Sequence, residues 1–182
     1  MHVRLVITIA AVAAVSACAG PAPSMAPYSQ AGLPAAIQVP AGHMVAMQTM
    51  AAGDITWQCR AKADMPGQFE WVFAGPDAGL KDRSGRTVGK YYGPPATWES
   101  VDGSRITGKQ LAIAPAGSGN IPLQLVQADP AKGMGAMQGV SHVQRVNTRG
   151  GVAPAAGCSA ASQGEKQVVR YTADYVFWRA AM

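Results

Sequence analysis

Short stretches in which apolar and polar residues alternate recur along the chain, and this pattern constrains the fold more than any other feature. In residues 69–73 the aromatic side chains occupy every second position, and residues 169–177 repeat the pattern with five apolar side chains. Alternation with a period of two is typical of half-buried β-strands. The 21 glycines and 13 prolines among 182 residues interrupt the longer segments. After the N-terminal region, no stretch keeps a 3.6-residue period over three helical turns.

Turn signals between the alternating segments indicate how the strands connect. Asp102 and Gly103 separate residues 97–101 from residues 104–107, and Asp-Gly is a strong hairpin signal because glycine accepts a positive φ. Residues 82–85, Asp-Arg-Ser-Gly, mark a second turn. About eight to ten short strands joined in this way predict an all-β fold, either an antiparallel sandwich or a small barrel.

The N-terminus has the organisation of an export signal. A short region with Arg4 precedes an apolar run over residues 5–15, which is shorter than the roughly 20 residues that cross a bilayer. Residues 15–18, Val-Ser-Ala-Cys, resemble the bacterial lipobox, in which the cysteine is diacylated and becomes the new N-terminus. We therefore expect a signal peptide over residues 1–17 and a lipid on Cys18. In the alternative, cleavage after Ala19 releases a soluble periplasmic or secreted protein.

Composition defines the remaining organisation and the expected partners. A Pro- and Ala-rich stretch after the lipidated cysteine predicts a tether over residues 18–36, followed by a single β domain over residues 37–182. Ala19, rather than Asp, after the cysteine favours the outer membrane, so the expected partner is that membrane, with the domain facing the periplasm or the surface.

The net charge of +5 is spread without a basic patch, which argues against nucleic-acid binding. No phosphate-loop motif is present, and no cofactor is expected.

Cys59 and Cys158 remain once Cys18 carries a lipid. In an oxidising compartment an even pair most simply forms a disulfide, which would close a loop of about 100 residues and add about 4–5 kcal/mol in the chain-entropy model. A redox-active or metal-binding pair is the alternative, but the sequence has no Cys-x-x-Cys.

Three carboxylates, Glu99, Asp102 and Asp174, are candidate catalytic residues. Two carboxylates that flank a glycosidic bond can hydrolyse it, and a nearby tryptophan, Trp71 or Trp98, could stack on the sugar. This reading predicts a polysaccharide-active enzyme. The alternative is that Asp102 helps to form the hairpin turn and that Glu99 is a solvated or paired strand residue.

A non-catalytic binding domain is the preferred functional hypothesis. Arg145 and Asn147 are expected to share one strand face and could hold a carboxylate or a sugar hydroxyl of an envelope or extracellular ligand. Alternatively, Arg145 pairs with Asp174 or Glu70 and has a structural role. A purely structural envelope protein, the third hypothesis, predicts no cleft. The residues expected to form the ligand-binding surface are Tyr91, Tyr92, Trp98, Glu99, Arg145 and Asn147.

A weaker metal hypothesis concerns His43, Met44, Met47 and Met50. Thioether sulfur prefers soft Cu(I), and methionines at a spacing of three could bind it. In a regular strand, however, Met47 points away from the other two methionines, and methionine also fills gaps in cores. Packing is therefore the preferred interpretation, and no metal site is predicted.

Ordered motifs extend over most of the expected domain. They include Trp-Gln-Cys at residues 57–59, Gly-Pro-Asp-Ala at 75–78, Thr-Trp-Glu at 97–99 and Gln-Arg-Val-Asn-Thr at 144–148. This series resembles the DUF3455 family of exported bacterial and fungal proteins from about Ile37 to Trp178. Where the family has a Gly-x-His-Tyr-type stretch, this chain has Tyr91 in place of the histidine and one extra residue. The resemblance implies no established activity, and it places Cys59 and Cys158 among the family's motifs.

Overall fold

The computed structural model describes residues 28–181, which form a closed barrel of eight antiparallel strands. Each strand pairs with its neighbours in sequence, and β8 pairs with β1 to close the ring. The prediction of an all-β antiparallel fold is confirmed. The strands are β1 (His43–Ala61), β2 (Phe69–Lys81), β3 (Thr87–Tyr92), β4 (Thr97–Ser100), β5 (Arg105–Ala114), β6 (Leu123–Ala128), β7 (Val140–Gly150) and β8 (Lys166–Ala180).

The two predicted turns form tight connections between short strands. Residues 82–86 join β2 to β3, and residues 101–104 join β4 to β5. Gly85 and Gly103 have φ values of 83° and 85°, in the left-handed region that glycine adopts at little cost. The Asp82 carboxylate accepts hydrogen bonds from the backbone N–H groups of Ser84 and Arg86, at 2.9 and 3.0 Å. Turn chemistry therefore determines where these strands end.

Strand alternation separates an apolar interior from the outer surface. One inward-facing row crosses four strands, since Ala78 pairs with Tyr91, Tyr91 with Trp98, and Trp98 with Ile106. Paired residues of neighbouring strands lie on the same face of a sheet, so the row continues around the barrel. All four side chains are buried in the interior core.

Residues 28–39 form an N-terminal strap that packs on the outside of the barrel. The strap carries a short 3-10 turn (Ala35–Ile37), and Ile37 is fully buried against a second apolar cluster on β5 to β8. Tyr28 contacts the Trp178 ring edge-on, with 5.9 Å between the ring centroids. Packed structure is thus present at least nine residues before the expected domain start. The reason is that the apolar side chains between the prolines of the strap cover an apolar outer surface of the barrel.

The predicted disulfide between Cys59 and Cys158 is confirmed. It joins the end of β1 to the connection between β7 and β8, across a sequence separation of 99 residues. Cys18 and the expected signal peptide lie outside the described residues. Residues 28–181 contain no helix with enough length and apolarity for a membrane crossing.

Candidate ligand site in the barrel

A partly open cavity of about 420 Å³ lies inside the barrel, and we call it the mouth cavity. Side chains from seven strands, β1 to β7, line it, and Phe73, which is 46% exposed, lies at its rim. Ligand pockets in proteins typically measure about 300–1,000 Å³. The mouth cavity is therefore large enough for a small organic molecule.

Aromatic rings form the walls of the mouth cavity. Tyr91 stacks on Trp98, with 4.7 Å between centroids and 18° between the ring planes. Tyr175 lies beneath them, 5.0 Å from the Tyr91 ring and 5.8 Å from the Trp98 ring. Trp57 meets Phe73 edge-on at 6.0 Å, and its indole N–H donates to the Gly151 carbonyl at 3.1 Å. These rings are held by packing and hydrogen bonds, so the cavity is preformed.

Arg145 places a positive charge in the cavity wall. It lies opposite Gln124 of β6 and Tyr175 of β8, which directs its side chain inward. Its Nε and Nη2 atoms donate to the Pro122 carbonyl at 3.1 and 3.0 Å. Within the described residues, no carboxylate lies within 4.0 Å of its guanidinium. Arg145 therefore has a neutral partner and no counter-charge from residues 28–181.

Trp98 contributes a buried hydrogen-bond donor without an acceptor among the described residues. Its side chain is 1% exposed, and its Nε1 atom is buried with no partner among residues 28–181. At the cavity edge, the Gln124 amide donates to the Gln110 side-chain oxygen at 2.7 Å. The lining thus has more donors than acceptors.

Three tyrosine hydroxyls remain neutral in the interior. The Tyr171 and Tyr175 hydroxyls lie 3.4 Å apart. Burial raises the pKa of Tyr171 to about 12 and raises the pKa values of Tyr91 and Tyr175 above their usual value. Burial disfavours the charged phenolate, so these hydroxyls keep their protons at physiological pH.

Tyr92 and Glu99 lie on the outer surface, away from the mouth cavity. The Tyr92 hydroxyl donates to Glu99 Oε2 at 2.7 Å, and Lys90 forms an ion pair with Glu99 Oε1 at 3.3 Å. The Tyr92 hydrogen bond, aided by Lys90, lowers the pKa of the Glu99 carboxyl. Strand alternation separates this pair from Tyr91 and Trp98, which point inward. The expected binding surface is thus divided between the two faces of the sheet.

A bulge in β7 separates Arg145 from Asn147. The pairing of β7 with β8 shifts register between Val146 and Arg149, and Asn147 has a φ of 51°. Asn147 Nδ2 donates to Asp174 Oδ2 at 2.7 Å beside an outer groove of about 1020 Å³. The prediction that Arg145 and Asn147 share a strand face is wrong, because the bulge interrupts the alternation. Arg145 also pairs with the Pro122 carbonyl rather than with Asp174 or Glu70.

The three candidate catalytic carboxylates occupy separate places. Asp102 lies in the β4–β5 turn, where Oδ1 accepts from Ser104 and Oδ2 accepts from the Ala136 N–H at 2.8 Å. Glu99 and Asp174 are engaged on the outer surface as described above. The described lining of the mouth cavity contains no carboxylate. Trp71 is also elsewhere, with its indole N–H bound to the Ala156 carbonyl at 3.0 Å.

The proposed histidine and methionine set is dispersed along β1. The His43 ring contacts the His142 ring edge-on at 4.8 Å between centroids. Met47 packs against the interior core, while Met44 and Met50 are exposed. A register shift between Val45 and Met47 interrupts the expected alternation. Across residues 28–181, no three His, Cys, Asp or Glu side chains are grouped as metal ligands.

Sequence reasoning did not identify several residues of the mouth cavity. Trp57, Phe73, Gln110 and Gln124 all line it, although only the alternating aromatic pattern of residues 69–73 gave any signal. Alternation shows that Phe73 shares a face with its neighbours but does not show which face is enclosed. Closure of the barrel determines which face of the sheet is enclosed.

The fold and the cavity define a closed antiparallel β-barrel with a partly open, aromatic-walled interior. The chain belongs to the DUF3455 family, whose model, described as a protein of unknown function, matches residues 40–179. The resemblance seen in the ordered motifs is thereby confirmed. No curated protein and no solved structure matches the chain.

Proposed function

We propose that this protein is an exported, lipid-anchored cell-envelope protein that binds a small organic ligand in the mouth cavity without catalysis. The observation that carries the proposal is the combination of aromatic walls with Arg145, a cation that has a neutral partner and no counter-charge among the described residues. Ligand sites are typically concave, mostly apolar and provided with a few polar groups that orient the bound molecule.

The arrangement of carboxylates favours binding over glycoside hydrolysis. Hydrolysis of this kind needs two carboxyl groups about 5–10 Å apart across the substrate. Glu99 is bound to Tyr92 and Lys90, Asp102 to the turn, and Asp174 to Asn147. A purely structural envelope protein, in turn, has no need of an aromatic-walled cavity.

The membrane anchor rests on the lipobox-like residues around Cys18. A disulfide such as Cys59–Cys158 is typical of exported proteins, and it supports this localisation. Cys18 and Tyr28, a strap residue packed on the barrel, are ten positions apart, with nine residues between them. A fully extended chain of that length spans at most about 35 Å. The proposed anchor would therefore hold the domain close to the membrane.

Binding can be tested with naphthalene-1-acetamide, a neutral aromatic probe, titrated calorimetrically up to millimolar concentration. We expect saturable binding to the purified protein. Phe73→Ala should weaken it about fivefold, because an aromatic contact contributes about 0.5–1.5 kcal/mol beyond its buried area. Val168→Ala is the matched control, since Val168 is exposed and lies outside the cavity lining. Absence of saturable binding, or equal loss in the two variants, would contradict the proposed function.

A further inference from the structure

We infer that the ligand of the mouth cavity is a small organic acid. Its carboxylate binds the Arg145 guanidinium, and its apolar part packs against the aromatic walls. This inference rests on the proposed function and specifies the chemical class of the ligand.

The first argument is the charge of Arg145. A guanidinium has five N–H donors, and here the Nε and Nη2 atoms share one carbonyl oxygen, that of Pro122. A carbonyl accepts hydrogen bonds but does not neutralise charge, and a partly buried cation without a counter-charge is unfavourable. A carboxylate in the cavity would supply both the charge and the acceptors, in the planar geometry that arginine prefers.

The second argument is the position of Arg145. Its half-buried side chain lies in the wall of the mouth cavity, opposite Gln124 and Tyr175. A molecule in the cavity can therefore reach the guanidinium, whereas the Trp98 Nε1 atom is enclosed and has no room for an acceptor beside it.

The third argument excludes the opposite charge. Within the described residues, the cavity lining contains no aspartate or glutamate, and its charged member is Arg145. A cationic ligand would meet repulsion and find no carboxylate.

The shape of the site indicates what the acid carries. Trp57 and Phe73 meet edge-on and present apolar ring surface at the mouth, whereas Tyr91 and Trp98 stack on each other and are only 4% and 1% exposed. Such surfaces bury planar rings with offset or edge contacts. An aromatic acid with its carboxylate a short distance from the ring matches this combination of charge and apolar walls.

The test compares two nearly isosteric probes, naphthalene-1-acetate and naphthalene-1-acetamide, on the intact domain. In the wild type we expect the carboxylate to bind about tenfold or more tightly, because hydrogen bonds to charged groups contribute about 1.5–3 kcal/mol. Arg145→Gln should remove this preference, so that the variant binds the carboxylate no more tightly than the amide. Arg149→Gln, an equal charge change at an exposed position of the same strand, should retain the preference for the carboxylate over the amide.

A spectroscopic measurement separates direct contact from general charge effects. In ¹H–¹⁵N spectra the Arg145 Nε resonance, assigned with Arg145→Lys, should shift downfield when the carboxylate binds and shift less with the amide. Equal affinity of the two probes for the wild type would overturn the inference while leaving cavity binding intact. Failure of both probes to bind would contradict the proposed function instead. If Arg145→Gln does not fold, the affinities of the two probes for the wild type and for Arg145→Lys still decide whether the site prefers the carboxylate.

Discussion

At the scale of single residues, Asp102 shows how a turn residue can organise a distant loop. Its Oδ1 accepts from the N–H and the hydroxyl of Ser104 at 2.9 and 2.6 Å, and its Oδ2 accepts from the Ala136 N–H. The Ser104 hydroxyl in turn accepts from the Met137 N–H at 3.1 Å. One carboxylate therefore joins the β4–β5 turn to the segment before β7, a structural role consistent with the Asp-Gly turn signal.

Acid sensitivity follows from these hydrogen bonds. They lower the pKa of Asp102 to about 2 from an ordinary 3.8, with the Ser104 hydroxyl as the largest cause. A depressed carboxyl pKa gives stability that is fully present above about pH 4 and is lost as the pH falls towards 2. We expect Asp102→Asn to lower the melting temperature at pH 7 and to make little difference near pH 2.

Thermal unfolding followed by circular dichroism between pH 2 and pH 7 measures this effect. Asp64→Asn is the control, because Asp64 is exposed and has no hydrogen-bond partner among the described residues. A pH-independent difference between Asp102→Asn and the wild type would show that the carboxylate charge is not what holds the two loops together.

At the scale of elements, the N-terminal strap depends on Gln144 of β7. This side chain is fully buried, donates to the Ile37 carbonyl at 2.7 Å and accepts from the Trp178 indole N–H at 2.9 Å. Gln30 exchanges two hydrogen bonds of 2.8 Å with the Val39 backbone inside the strap, and its Oε1 also accepts from the Gln144 amide at 3.1 Å. The strap is thus fixed by polar contacts within an apolar cluster.

Gln144→Leu should destabilise the domain by about 2–4 kcal/mol, because it leaves the Ile37 carbonyl and the Trp178 N–H buried without partners, at about 1–3 kcal/mol each. Gln127→Leu, at an exposed position of the neighbouring strand β6, is the matched control. Urea unfolding monitored by tryptophan fluorescence gives both values. A loss below about 1 kcal/mol for Gln144→Leu would mean that the strap is not part of the cooperative unit.

At the scale of the whole molecule, closure and cross-linking act together. β8 pairs with β1 over most of its length, which removes the free edges of the sheet. The Cys59–Cys158 bond adds a constraint across 99 residues, worth about 4–5 kcal/mol in the chain-entropy model. Closure also creates the enclosed interior in which the mouth cavity lies.

The proposed anchor makes a prediction about the mass of the whole protein. Intact mass spectrometry of the protein extracted from its own membranes should give a chain beginning at Cys18, with a diacylglycerol adduct and two hydrogens fewer than the reduced form. Cys18→Ser should move the protein to the soluble fraction while the Cys59–Cys158 bond stays intact. An unlipidated chain beginning at Gly20 would instead support a soluble exported protein.

Local features of the sequence were sufficient to predict the all-β class, the hairpin at Asp102-Gly103 and the family. Each of these depends on residues close together in the chain: period-two alternation, turn residues and short motifs. The Cys59–Cys158 pair could also be predicted, because it is what remains once Cys18 is assigned to the lipid.

The composition of the candidate site depended on tertiary structure. Alternation places Tyr91 and Trp98 on the face opposite to Tyr92 and Glu99, but it does not say which face is enclosed, and barrel closure decides that. The bulge that turns Asn147 away from Arg145 arises from pairing with Thr172 and Asp174 of β8, which lie more than 20 residues after Asn147 in the chain. The sequence by itself determined the strands and turns, since these are local. Only long-range pairing decided that Arg145 meets an aromatic wall, because register and closure depend on contacts between distant strands.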